Sequence, residues 1–245
     1  MSTHGKRYLQ ARSEIDPGTV YPPLEAIRIL QRLELTRFDP TIEVHFRLGV
    51  NVRHADQQLR GTIMLPHGTG RETRVAVFAE GEKAREAEEA GADVVGAADL
   101  ATQIEGGFDD FDVAIAAPDQ MSVVGRLGRI LGPRGKMPNP KTGTVTNEVG
   151  KAVREAKAGK LEYRTDRGAN VHVAIGKKSF DERRLAENYA TLLDEILRAK
   201  PAAAKGRYIR GITLTSTMNP GIHVDPARTR GILEELEEQA EPVTA

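Results

Sequence analysis

"RVAVFAEGEKAREAEEAGADVVG", residues 74–96, begins with an unbroken apolar run and continues as a strong helix former that stops at a glycine. A short apolar run of this kind, followed at once by a helix, reads as a strand buried on both faces with its crossover. The pair recurs. "DVVG" with "AADLATQIEGG" repeats it, and "FDVAIAA" with "PDQMSVVGRLGRIL" repeats it again. Three strand-helix alternations at this spacing predict a small parallel α/β sheet. One further helix, "NEVGKAVREAKAG", closes the block at Gly159.

The flanks follow a different rhythm. "TIEVHFRLGV", residues 41–50, alternates strictly: Ile42, Val44, Phe46 and Leu48 point one way, and Glu43, His45 and Arg47 the other, as in a half-buried strand. "YPPLEAIRILQRL" before it reads as a helix with a proline start, and "GTIML" after it as a second strand that exits through the turn-rich "PHGTGR". Beyond the middle block, "KLEYRTD", "NVHVAIGK" and "GRYIRGITLTST" read as strands. Between them "DERRLAENYATLLDEILRAK" is an amphipathic helix, with Leu185, Tyr189, Leu192, Leu193, Ile196 and Leu197 on its apolar face and Asp181 as N-cap. The two flanks complete one α+β sandwich if the middle is an insertion. The expected organisation is a discontinuous α+β domain (1–66 plus 160–224), an inserted α/β domain (67–159) and an acidic tail (225–245), the tail read as a solvated or fraying helix.

A chain of 245 residues with 39% hydrophobic and 29% charged residues has the composition of a globular protein, and no window approaches the roughly 18 apolar residues of a membrane helix. The amino terminus lacks the apolar core of a secretory signal, so a cytoplasmic location is expected. Without cysteine there are no disulfides or thiolate metal sites. The formal net charge of zero conceals a segregation: +2 over 1–66, −3 over 67–159, +5 over 160–224 and −4 over 225–245. Joined in one domain, the first and third blocks carry +7, which makes a polyanion a plausible partner.

Catalytic readings fare poorly. "LGPRGKMPNPKTGT", residues 131–144, is a shaped Gly- and Pro-rich loop, but Ile130 and Met137 stand where a phosphate-binding P-loop needs glycine and a hydroxyl. "GTGRET", residues 68–73, precedes its strand and lacks the third glycine of a dinucleotide fingerprint. His4, His45, His54, His67, His172 and His223 are dispersed without metal-ligand spacing, so they read as surface or hydrogen-bonding histidines. A nucleotide-dependent enzyme built on the inserted domain therefore rests on architecture alone. A scaffold that binds protein through the acidic tail is the third reading.

Five segments, "FDPTIEVHFRLGV", "DQQLRGTIMLPHGTGR", "LGPRGKMPNPKTGTV", "AKAGKLEYRTDRG" and "TSTMNPG", in this order and spacing, closely resemble the bacterial large-subunit ribosomal protein L-one family. The resemblance runs from about residue 3 to residue 224. It implies a split α+β domain hinged to an inserted Rossmann-like domain, and a non-enzymatic role with no cofactor or metal. The implied partners are the stalk of large-subunit ribosomal RNA, exit-site tRNA leaving the ribosome, and the protein's own messenger RNA, which the free monomer represses. The implied RNA face comprises Arg37, Phe38, Thr41, Glu43, Asp166, Arg167, Ser216, Thr217 and Met218, with Arg134, Lys136 and Lys141 as a secondary RNA contact. Phe38 and Glu43 also admit a purely structural reading, as a strand cap and a partner for a cation. Asn219 departs from the family, which usually has glycine there, and the acidic tail is a second departure. Eleven aromatic residues and no tryptophan disfavour a base-stacking platform, so recognition of folded RNA by shape is expected.

Overall fold

The computed structural model describes residues 5–228 and Ile232. In chain order, α1 (Lys6–Ser13), α2 (Pro23–Arg32), β1 (Thr41–Leu48) and β2 (Arg60–Met64) come first. Then follow β3 (Val75–Phe78), α3 (Glu82–Glu89), β4 (Val94–Gly96), α4 (Ala98–Glu105), β5 (Val113–Ala116), the one-turn helices α5 (Met121–Val124) and α6 (Gly128–Leu131), and α7 (Val149–Lys157). β6 (Lys160–Arg164), β7 (Asn170–Lys177), α8 (Glu182–Arg198), β8 (Ile209–Ser216) and β9 (Ile222–Val224) complete the fold. The chain divides into two compact units. The first holds the described residues up to Leu59, then Leu65–Gly70 and the chain from Tyr163 onward; the second holds Arg60–Met64 and Arg71–Glu162.

The first unit is built on an antiparallel sheet of order β7-β1-β8-β9. Alternation in β1 sends Ile42, Val44 and Phe46 to a fully buried face, where α2 and α8 pack against the sheet and each other. Leu24, Ile27 and Leu30 of α2, with Leu185, Leu192, Leu193 and Ile196 of α8, are buried there too. Each such side chain contributes about 1.5–3 kcal/mol of transfer free energy, so helices of ordinary propensity are held by burial. Leu197 is only partly buried, and Asp181 sits at the N-cap position of α8 without a side-chain capping bond. Gly70, with φ of +69°, could not carry a side chain, because a Cβ there would lie 2.8 Å from the ring of Phe180.

In the second unit β4, β3 and β5 form a parallel sheet. The run that opens this block is apolar throughout because both faces are covered. Val75 and Val77 face α3 and α7 through Ala87, Val149 and Val153, whereas Ala76 and Phe78 face Leu100 and Ile104 of α4 and Leu127 and Leu131 beyond it. The third expected helix differs: Pro118–Leu131 is a chain of short helical turns in which Gly125 and Gly128 interrupt continuity. β2 and β6 pair as a separate two-stranded sheet, tied by an Arg60–Glu162 ion pair of 2.7 Å. Consequently "GTIML" falls mainly in the second unit, and the boundaries shift from 66 and 160 to the positions given above. Apart from 225–228 and Ile232, the acidic tail lies outside the described residues.

Candidate nucleic-acid interface

The face of the antiparallel sheet opposite the helices is polar and open. Thr41, Glu43, His45 and Arg47 project from β1, and cross-strand register fills the row around them. His45 lies opposite His172 of β7 on one side and Thr213 of β8 on the other, and Thr213 in turn opposes His223 of β9. Three of the six histidines thus meet on one face.

At one end of β1, the loop after β8 folds onto the strand. The Thr217 amide donates to the Thr41 carbonyl at 3.0 Å, and the Thr41 amide donates to the Thr217 hydroxyl at 3.2 Å. Lys177 Nζ donates to the Thr41 hydroxyl at 2.8 Å. Met218 then takes the left-handed conformation, with φ of +71°, and its side chain is 70% exposed. That combination holds an apolar side chain out in water with a strained backbone, and such sites serve ligands more often than cores. Phe38, 58% exposed, is a second large apolar group outside the core.

Asn219, the departure from the family's glycine, does not itself take a left-handed backbone. The left-handed residue of this turn is Met218, and Asn219 is buried, its amide nitrogen donating to the Ser216 hydroxyl. The side chain therefore has room, but its carbonyl oxygen finds no partner. Ser216, 2% exposed, alternates onto the helix-covered side with Leu214 and Ile212. It does not join the open face; it braces Asn219 beneath it.

At the other end of β1, Asp166 organises the turn between β6 and β7. Its carboxylate accepts from the amides of Gly168 at 2.8 Å and Asn170 at 2.7 Å and from the Asn170 side chain at 3.0 Å. Partial burial alone would raise its pKa, but these bonds and that from His172 outweigh it and hold the carboxyl below its usual value. Arg167 is exposed on the same turn. Six strand steps separate Thr41 from Arg47, about 20 Å at ~3.4 Å per residue. Bridging that gap is a polar chain: Glu43 lies 3.9 Å from His45 Nε2, the Nδ1 atoms of His45 and His172 are 2.8 Å apart, and His172 Nε2 is 3.5 Å from Asp166. Desolvation, reinforced by the charge of His172 and opposed by Glu43, lowers the pKa of His45. Single-strand spacing could not reveal this pair, since its members are far apart in sequence and meet only through β-register.

The loop 131–144 belongs to the second unit. Asn139 shapes it, its side chain accepting the Lys141 amide at 2.8 Å, and Gly143 closes the turn in the left-handed region. Lys136 is committed inward: Nζ lies 2.7 Å from the Asp109 carboxylate, donates to the Phe111 carbonyl at 2.6 Å and sits over the Phe111 ring. This bond keeps Asp109 below its usual pKa. Arg134 shares Asp109 at 3.1 Å, and Lys141 is exposed. The loop's path is thus fixed by Asn139 within it and by the anchorage of Lys136 and Arg134 on Asp109 and Phe111 outside it.

Among the described residues no group of three histidine or carboxylate side chains is placed to hold a metal ion, and no helix is long and apolar enough to cross a membrane. Residues 30–220 match the family described as "Ribosomal protein L1p/L10e family". The chain belongs to that family. Its relatives include "Large ribosomal subunit protein uL1" of Rhodococcus erythropolis, 58% identical over 235 residues that cover 96% of this chain and 98% of the relative. Proteins of the same name from Frankia casuarinae and Nocardia farcinica are each 57% identical, covering 94% and 96% of this chain and 97% and 99% of their own lengths. The family is structural and non-enzymatic, and this member is a ribosomal protein, not an enzyme.

Proposed function

We propose that the chain is a cytoplasmic constituent of the large ribosomal subunit that binds the stalk of large-subunit ribosomal RNA with the open face of its antiparallel sheet. The observation that carries this reading is the Thr217–Met218 turn, clamped to β1 by paired bonds with Thr41 and presenting an exposed, left-handed Met218. Thr217, Met218, Thr41, Phe38 and Glu43 form the central contact, and Asp166 and Arg167 a second one at the far end of β1. Hydroxyls and main-chain groups suit ribose 2′-hydroxyls, Arg37 and Arg167 suit phosphates, and the two exposed apolar groups suit sugar faces. Ser216 supports the turn from below. On this reading the complex moves with exit-site tRNA as it leaves, and the free monomer represses its own messenger RNA by the same face. Arg134 and Lys141 supply the secondary RNA contact, with Lys136 fixing their loop.

Filter binding of the full chain to a stalk fragment of large-subunit RNA, beside a scrambled RNA of equal length, tests the assignment. Selective binding that Met218→Ala weakens by at least tenfold supports it. Equal affinity for both RNAs, or an unchanged affinity for the Met218 variant, refutes the site.

A further inference from the structure

Where α1 meets the segment between α2 and β1, an open cleft of about 730 Å³ lies within the first unit. Four cations line it: Arg7 from α1, Arg32 from the end of α2, Arg37 from the loop and Lys178 from the turn after β7. Glu14 and Glu34 line it as well, leaving a local excess of two positive charges. The cations differ in commitment. Lys178 donates to the Leu33 carbonyl at 2.8 Å, which fixes the floor of the cleft. Arg7, Arg32 and Arg37 are exposed, and none of the ion pairs among the described residues involves them. Arg28, one turn before Arg32, instead spends its charge on Glu182 at 2.7 Å.

Guanidinium groups held free around a polar concavity match the two-oxygen geometry of phosphate better than that of any neutral ligand. Arg37, which lines the cleft, is followed directly by the exposed Phe38. We propose that this cleft is a phosphate-binding site that grips the RNA backbone outside the sheet face, with Arg7 and Arg32 as phosphate contacts that the sequence pattern did not single out. The inference rests on the RNA-binding reading above. Its role is electrostatic: it adds affinity and fixes orientation without reading bases.

The test is the salt dependence of full-chain binding to the stalk fragment, measured for the natural sequence, for Arg7→Gln/Arg32→Gln and for Arg85→Gln/Arg154→Gln. The last variant removes the same charge from exposed positions of the second unit. If two phosphates are gripped, the log–log slope falls by about 1.4–1.8 in the first variant, with a matching loss of affinity at low salt, and the control keeps its slope. An unchanged slope in the first variant, or an equal fall in both variants, overturns the cleft assignment while selective binding by the natural sequence still stands. If the natural sequence itself does not prefer the stalk fragment to the scrambled RNA, the underlying reading fails and the cleft assignment with it.

Discussion

Thr217 and His45 stand at the two ends of what one side chain does on the open sheet face. The Thr217 hydroxyl lies between the amide and the carbonyl of Thr41, at 3.2 and 3.4 Å, so Thr217→Val removes those interactions but leaves the backbone bond between the two residues. We expect a loss of about 1 kcal/mol by urea denaturation, the net worth of an ordinary hydrogen bond, and a larger proportional loss of RNA affinity. Equal affinity at unchanged stability would remove Thr217 from the site. His45 supplies a pH dependence instead. Its folded pKa lies below the ordinary 6.5, so the unfolded chain binds more protons, and stability present above that pH is lost as the pH falls beneath it. The 2.8 Å contact between the two Nδ1 atoms demands the same, because two imidazolium rings would both present N–H there. Urea midpoints measured from pH 7.5 down to pH 5 should fall less steeply for His45→Gln than for the natural sequence. Parallel profiles would show that the pair carries no proton linkage.

At the scale of the element, α8 places two polar side chains side by side in the core with opposite consequences. Asn188, fully buried, accepts from the His67 amide at 3.1 Å and donates to the Gly68 and Ile175 carbonyls at 2.9 and 2.7 Å. Tyr189, equally buried, has a hydroxyl with no partner, and burial pushes its pKa up. Asn188→Ala should cost about 3 kcal/mol, because three backbone groups lose their partner at once, whereas Tyr189→Phe should leave stability equal or slightly higher. Thermal unfolding of both variants checks the contrast, and a Tyr189→Phe loss as large as that of Asn188→Ala would contradict it. This helix also marks how far the sequence could be read. Its period identified Tyr189 and the leucines around it, just as alternation identified the two faces of β1, since both patterns are local and set by burial. Asn188 carries no such signature, and neither does the pairing of His45 with His172, because each depends on residues over a hundred positions away or on another strand. α1 and β9 escaped for a related reason: both are short, and β9 owes its place to pairing with β8. The turn at 216–219 is legible only by resemblance, which does not convey that Met218 carries the left-handed backbone.

For the whole molecule, charge segregation decides what salt will do. The block 67–159 sums to −3, and the flanking blocks to +7, so the RNA-binding surface proposed above resides where a polyanion is attracted. Within the acidic block, the loop 131–144 divides its cations by task. Lys136 is spent on Asp109 and the Phe111 carbonyl, whereas Lys141 is exposed and Arg134 is half exposed beside the same carboxylate. Charge removal should therefore separate into two phenotypes in the full chain. Lys136→Met should lower the thermal midpoint, since it strips an ammonium from a carboxylate and two carbonyls that are built around it. Arg134→Gln/Lys141→Gln should leave the midpoint nearly unchanged and reduce the salt slope of stalk-RNA binding by about one, the share of a single backbone contact. If the double variant instead keeps the full slope, the loop makes no phosphate contact, and its Gly- and Pro-rich shape serves only the packing of the second unit. A slope that falls together with the midpoint would mean that the two tasks cannot be separated, because these cations hold the loop in the conformation that meets RNA.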